Sequence, residues 1–528
     1  MAAAVLVTAA LPARAQDAAS AAAEPFAPHD HWSRAALRRL AAAGWVDAGA
    51  ALAAWPLRRS RVRRLFSTAA VAAERRGAVA AARLARAYAE RFDDEFPPPA
   101  SAASAADPVA GRAAPAAERR AASAEGTASM PDRLYAALRV QGGLTAHENI
   151  MRGGASVWVE GVGWVYPGPV AVADASSGVA AAAMDLAFGG LAASVSGRWS
   201  AERLEAGESY LSLATGPLDL WLGRRGWSAG AAGRDAIVLA EGTLFDGGGL
   251  AIPEGFRLPG PLASLGPVRA AVMLARMERS GPYAHPLFWA ARLSISPHRS
   301  LSIGFNRASL FGGEGNGRIT PRTVLLMLLG FTDTEGKASA FENQVASVDL
   351  FWHTAAWGVP LALYGEWGFD DMGFAWTHVP GIVLGAELPL VPGVPALALG
   401  VERVHFDRSC CGNPPWYQHG PLAEGWTDRG RPLGHPLGGH GHATALRWRL
   451  DLPGTGILAG GRLFRRVRHE ENLFAPARRG TSHGGTLRWR LPAARRAHLD
   501  GRLEVEHGRT GWWQWSARLA TELTLGSR

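Results

Sequence analysis

Cysteine is almost absent from the 528-residue chain: Cys410 and Cys411, adjacent, are the only two. That excludes a disulfide framework, sulfur-based zinc spacing and a CxxC redox pair, while in an oxidising envelope the two could close a vicinal disulfide or pair between chains. Lysine is scarcer still, with Lys337 alone, so arginine supplies nearly all the positive charge behind a formal net charge of +9. The arginines are scattered, not massed, so the excess does not single out nucleic acid as a partner. With abundant Ala, Gly and Pro, it reads as the mark of a GC-rich genome. Hydrophobic residues are 48% and charged residues 19%, yet no run of eighteen uncharged apolar residues occurs. The best stretch, 388–401, is short and broken by Pro389, Pro392 and Pro395, which excludes a membrane-spanning helix there. No GxSxG elbow, Walker loop or HExxH pair appears, so no catalytic residue and no cofactor is assigned. Carboxylates such as Glu366 and Asp370 would make a glycosidase pair only at the right separation, which spacing along a chain does not give.

What is present falls into blocks. Residues 1–15 form a short apolar segment ending in Ala13-Arg14-Ala15, a small-x-small pattern that predicts a cleavable secretory signal with cleavage before Gln16. From 16 to 97 the period is helical: Trp32, Ala36, Leu40 and Ala43 recur at three- and four-residue spacing with arginines between, which predicts a small bundle of two or three helices. Residues 98–130 are rich in Pro, Ala and Ser without periodicity and read as a linker. From 131 to 528 the period is two. Leu446, Trp448 and Leu450 oppose Arg447, Arg449 and Asp451; Leu487, Trp489 and Leu491 oppose Arg488 and Arg490; Leu499, Leu503 and Val505 oppose Arg502, Glu504 and Glu506. Half-apolar strands with charge on the second face, short PGP and PGVP turns, long polar loops and a secretion signal together predict an all-β outer-membrane barrel. Roughly 20 to 25 residues per strand and loop over about 400 residues gives about sixteen to eighteen antiparallel strands. One departure is that the chain ends Leu525-Gly526-Ser527-Arg528, without the terminal aromatic common in such barrels.

The segment from about 285 to 470 resembles the Wzi family of capsule assembly proteins. The resemblance is carried by FWAARLSISP (288–297), LSIGFNRASLFGGEG (301–315), ENQVASVDL (342–350), PLALYGEWGFDDMGF (360–374), LALGVERVHF (397–406), PPWYQHG (414–420) and DRGRPLGHPLG (428–438). It extends more weakly through LGRRGWSAG (222–230) and the helical N-terminus. It implies an outer-membrane barrel, a helical bundle on the periplasmic side, and extracellular loops that close the pore. It also implies a lectin-like role toward an acidic capsular or extracellular polysaccharide, with outer-membrane lipid around the wall and export machinery as a further partner. The alternative is a porin or transport channel for small solutes.

If the apolar face meets lipid, the second face lines the lumen. In the clearer strands from 286 onward, Arg292, Arg447, Arg449, Arg488, Arg490, Arg502 and Arg518 stand against Asp349, Glu366, Glu387, Glu402, Asp451, Glu504, Glu506 and Glu522. Near-balance suits cross-barrel ion pairs and a plugged interior better than a selective pore. The candidate lumen network comprises Arg292, Asn306, Glu342, Asn343, Gln344, Asp349, Glu366, Asp370, Asp371, Glu402, Arg447 and Arg449. For sugar recognition, flat aromatic faces and arginine forks for carboxylates converge in the loop 413–435. Trp416, Tyr417, His419, Trp426, Arg429, Arg431 and His435 are the candidate polysaccharide contacts. The competing reading packs the same residues as a lid over the barrel mouth. His435, His440 and His442 suggest a metal, but they lack regular ligand spacing and lie in a Gly-rich loop, so no metal site is assigned.

Overall fold

The structure, a computed structural model, describes residues 24–98, 135–153, 157–159, 163–165, 170–200, 204–277, 279–280, 283–314, 319–322, 324, 342–370, 381–407, 416–418, 425–428 and 430–526. The expected signal segment and nearly all of the expected linker lie outside these residues.

The alternating segments form an 18-stranded closed antiparallel sheet. In chain order the strands are β1 (Tyr135–Glu148), β2 (Ala175–Phe188), β3 (Leu191–Ser200), β4 (Ser209–Thr215), β5 (Leu218–Gly226), β6 (Leu244–Arg257), β7 (Pro267–Arg276), β8 (Leu287–His298) and β9 (Leu301–Phe311). They continue as β10 (Glu342–Ala356), β11 (Val359–Asp370), β12 (Gly381–Leu388), β13 (Leu397–Phe406), β14 (Gly441–Leu452), β15 (Ile457–Arg468), β16 (Gly480–Ala494), β17 (Ala497–Gly508) and β18 (Trp513–Gly526). A short segment, Leu204–Ala206, adds to β3 ahead of β4. Each strand pairs with its sequence neighbour, and β1 also pairs with β18, from Ala137 opposite Gly526 to Glu148 opposite Trp515. This contact removes both sheet edges, so no backbone row is left unpaired toward lipid.

Period-two patterning sets the two faces. In β11, Leu363 and Trp367 are exposed while Tyr364 and Glu366 are buried, as a one-residue pleat requires. Leu144, Met184, Leu211, Leu274, Leu446, Leu463 and Leu519 continue the apolar exterior around the ring. One end of the barrel carries tight turns. The two-residue loop Trp357-Gly358 has φ of 50° and 78°, the left-handed pair that a tight hairpin demands and that glycine adopts without steric cost. The opposite end carries the long connections, including 149–174, 227–243 and 407–440.

Among the described residues, four helices, one of a single turn, precede the barrel: α1 (Trp32–Ala42), α2 (Ala48–Ala51), α3 (Arg59–Arg75) and α4 (Val79–Glu95). The His31 ring caps α1 by accepting from the Ser33 amide, and Asp47 caps α2 by accepting from the Ala50 amide at 2.7 Å. Their buried faces, Ala36, Leu37 and Leu40 on α1, Val62, Phe66 and Ala69 on α3, and Leu84, Tyr88 and Phe92 on α4, follow helical spacing. They do not form a core of their own. Phe66 and Tyr88 of the helices, Phe288 and Phe351 of the wall, and Trp416 and Trp426 of the long-loop end belong to one continuous apolar cluster.

Candidate functional site

The lumen is filled from both ends. On the wall, the Arg292 guanidinium donates to both carboxylate oxygens of Asp349, at 2.6 and 3.2 Å, and to the side-chain oxygen of Asn306 at 2.6 Å. Asn306 donates to Asp349 at 2.6 Å and to Ser347 at 3.1 Å, and Ser347 donates to Glu366 at 2.7 Å. Pairing of β8, β9, β10 and β11 puts these residues at neighbouring positions on the inner face. Glu366 also accepts from the backbone N–H of Ile237 at 3.1 Å, which ties the wall to a loop that turns inward.

That inward loop, 227–243, is the central strut. Ala231, Ala236, Ile237 and Leu239 are completely buried, so its apolar residues replace water inside the barrel. Asp235 receives Arg447 and Arg462, the latter at 3.0 Å, and Arg447 also meets Glu402, which accepts from the Tyr364 hydroxyl at 2.7 Å. Below the strut, Arg34 of α1 donates to Ser228 at 2.6 Å, and Arg38 binds both the Ala231 carbonyl and Glu387. Above it, Tyr417 donates to the Ile237 carbonyl at 2.7 Å and Trp426 to the Val238 carbonyl at 2.9 Å. The Tyr417 hydroxyl accepts from the His435 amide at 3.0 Å, and the Tyr417 amide donates to Asp370 at 2.6 Å. Burial holds the His435 ring neutral, its pKa pushed down to about 3, and its Nδ1 accepts from the Leu437 amide at 3.0 Å.

The helices are fastened by buried charges. Arg39 donates to Asp451 at 2.7 Å and to the carbonyls of Pro389 and Pro395, both at 2.8 Å, while Arg449 donates to Asp451 at 2.6 Å. Arg59 meets Asp185 at 2.7 Å, Asp47 meets Arg269 at 2.8 Å, and Glu95 lies 3.3 Å from Arg490. These partners come from β2, β7, β14 and β16, on widely spaced sectors of the wall.

The sequence-nominated residues divide accordingly. Arg292, Asn306, Asp349 and Glu366 form one connected network, Glu402 and Arg447 a second, and Arg449 a third with Asp451. Gln344 accepts from Arg307 at 3.1 Å, Asn343 is buried, and Asp370 holds the Tyr417 amide. Glu342 lies in β10, with its side chain outside the described residues, as are Asp371, His419, Arg429, Cys410 and Cys411 altogether. Of the loop nominated to contact sugar, Trp416, Tyr417 and Trp426 are completely buried and His435 nearly so. They present no ring face to solvent, and the lid reading of that segment fits their burial. Arg431 is exposed. Sequence reasoning missed the inward loop with Asp235, the wall partner Arg462, and the helix anchors Arg39 and Glu95. The available signal was the run AAGRDAIVLA (231–240), apolar and without period two where polar loops are the rule.

Comparison with known proteins adds three findings. A family model described as capsule assembly protein Wzi matches residues 103–512. Among solved structures, the Escherichia coli outer-membrane protein Wzi, described as involved in group 1 capsule assembly and as a carbohydrate-binding β-barrel, superposes with a TM-score of 0.67 at 17% identity, covering 94% of this chain and 99% of that one. Pseudomonas aeruginosa OccK5 gives 0.45 at 11% identity, covering 75% and 98%, and OpdO from the same organism gives 0.43 at 12%, covering 75% and 98%. No curated protein matches significantly.

Proposed function

Because the chain belongs to the capsule assembly protein Wzi family, we propose that it is a non-catalytic outer-membrane protein that binds capsular or extracellular polysaccharide and retains or organises it at the cell surface. The filled lumen carries this reading. Among the described residues, helices, inward loop and lid share one core with the wall, which argues against a wide diffusion channel and for the long-loop end as the working surface. In the usual arrangement of bacterial barrels the short turns and the helices face the periplasm and the long loops face outward. The similar Escherichia coli barrel, described as carbohydrate-binding, supports the same assignment.

An acidic polymer offers carboxylates, and guanidinium forks are their natural partners. Exposed Arg431 is the described lid residue suited to that contact, while Trp416, Tyr417, Trp426 and His435 fix the shape that presents it. Export machinery would approach from the periplasmic end, where the helices lie. The test compares surface-retained with released polysaccharide in a deletion strain complemented with wild type or with Arg431→Ala. Release with undiminished synthesis, restored by wild type and restored less by the variant, is expected. Equal retention in every strain overturns the reading and turns attention to solute flux.

A further inference from the structure

We propose that the outward face of β13 to β17 carries, near the long-loop end, a site for the headgroup of an outer-leaflet glycolipid bearing more than one phosphate. Arg403 and Arg465 hold it, with His483 and His507 beside them. The site rests on the preceding reading only for its orientation, long loops outward. Strand register builds it. Arg403 lies opposite Thr444, Thr444 opposite Arg465, Arg465 opposite His483, and His483 opposite His507, so five side chains form one row across five adjacent strands. All five are exposed. Arg403 donates to the Thr444 hydroxyl at 2.8 Å, which braces the guanidinium along the outer wall.

Two residues further from the long-loop end on each strand, about 7 Å at ordinary strand rise, the next outward row is Val401, Leu446, Leu463, Gly485 and Val505. Its four apolar side chains are exposed, so lipid chains meet that row. An arginine facing lipid is costly at the bilayer midplane and nearly neutral near the interface. The step from Leu463 to Arg465 on one strand therefore marks where hydrocarbon gives way to headgroups. Among the described residues, the outward positions of β13 to β18 hold no carboxylate. Other parts of the exterior differ: Arg224 on β5 faces Asp246 on β6 at 2.6 Å. The acidic neighbours stand off the row. Asp407 comes within 4.0 Å of His405, one step toward the rim, and Glu148 on β1 accepts from Trp515 at 3.1 Å. Guanidinium forks match phosphate oxygens, and basic side chains at a membrane boundary attract anionic headgroups. The imidazole N–H groups and the Thr444 hydroxyl are donors for further phosphate oxygens or for sugar hydroxyls. Four strand spacings make the row about 19 Å wide, broader than the single phosphate of a phospholipid and suited to a sugar headgroup that carries several.

The test titrates the full-length barrel in neutral detergent with lipid A, with phosphatidylglycerol, and with a diglucosyl diacylglycerol that lacks phosphate, counting retained lipids by native mass spectrometry. Folding of each variant is checked by heat-modifiable electrophoretic mobility, and because both arginines are exposed the variants should fold like wild type. Lipid A is expected to be retained in preference to the other two lipids, with its apparent affinity lowered at least tenfold by Arg403→Gln combined with Arg465→Gln. Arg224→Gln, on the exterior but beside a carboxylate, should change it less than twofold. Arg431→Ala should also leave it unchanged, so the lipid site and the outer-loop reading can fail separately. Equal retention of phosphatidylglycerol or of the neutral glycolipid, displacement of lipid A by a glucuronate oligosaccharide, or an equal loss in Arg224→Gln overturns the proposal. So does retention that the folded double variant leaves intact.

Discussion

Replacing Glu95 with alanine tests whether the helices are held in the barrel by buried charge. Glu95 is 1% exposed. It bonds His31 Nε2 at 2.8 Å, accepts from Trp32 Nε1 at 2.9 Å and Arg91 Nε at 2.9 Å, and lies 3.3 Å from Arg490. The neutral His31 ring fits this arrangement, with Nε2–H donating to Glu95 and Nδ1 accepting from Ser33. Removing one partner from a buried ion pair costs about 3–5 kcal/mol because the other charge stays desolvated. Arg490 retains Glu522 at 3.4 Å and Asp500 at 3.5 Å, so the lower end, about 3 kcal/mol, applies. At about 1.4 kcal/mol per tenfold, the undocked population of α4 rises roughly a hundredfold. Hydrogen–deuterium exchange of the α4 amides in the full-length barrel reads this directly, as a comparable loss of protection. Glu95→Gln, which keeps an acceptor, should fall between. The sign with pH follows from the same contacts. Burial alone would raise the Glu95 pKa, but Arg490, His31 and Arg91 outweigh it and set it well below 4.5. A depressed carboxylate stabilises docking above its ordinary pKa and loses that contribution as pH falls, so wild-type protection should decline below about pH 4.5. Unchanged exchange of α4 in Glu95→Ala would refute the reasoning.

Other outcomes follow from the strut and lid. Tyr417→Phe leaves the Ile237 carbonyl and the His435 amide without their shared hydroxyl, at a cost of about 1–3 kcal/mol, seen as faster native-state proteolysis within 227–243. Trp426→Ala empties a completely buried site and should cost about 3–5 kcal/mol, with a larger acceleration in the same assay. His435, held neutral by burial, weakens lid closure as pH falls below about 6.5. At pH 5 the penalty is about 1–2 kcal/mol, so lid proteolysis should accelerate between pH 7 and 5 in wild type and less in His435→Gln. In planar bilayers the wild-type barrel should show no large steady conductance, and removal of 227–243 should raise it; a large wild-type conductance would contradict the filled lumen.

The wall was legible because a strand's two faces answer to two solvents: Leu446, Trp448 and Leu450 lie on one face, and Arg447, Arg449 and Asp451 on the other. The closed ring and its strand number follow from that pattern repeated. The partners across the lumen were less legible. Nothing in local spacing says that Asp235 will meet Arg447 and Arg462, or that Arg39 will reach Asp451, because those contacts depend on how a loop and a helix enter a closed space. The lid shows the same limit. Tryptophan, tyrosine, histidine and arginine in one loop describe a sugar platform and a packed cap equally well, and only the apolar strut beneath distinguishes them.

The closing contact between β1 and β18 also sets a timetable. The helices are synthesised before any strand, but their anchors are distributed from Asp185 in β2 to Arg490 in β16. Full docking must therefore wait until most of the wall exists. Yet the wall seals only when the last strand meets the first, and a sealed cylinder offers the helices one narrow entrance. Filling and sealing therefore have to be coordinated, and because the anchors are several, the loss of one weakens docking without emptying the interior.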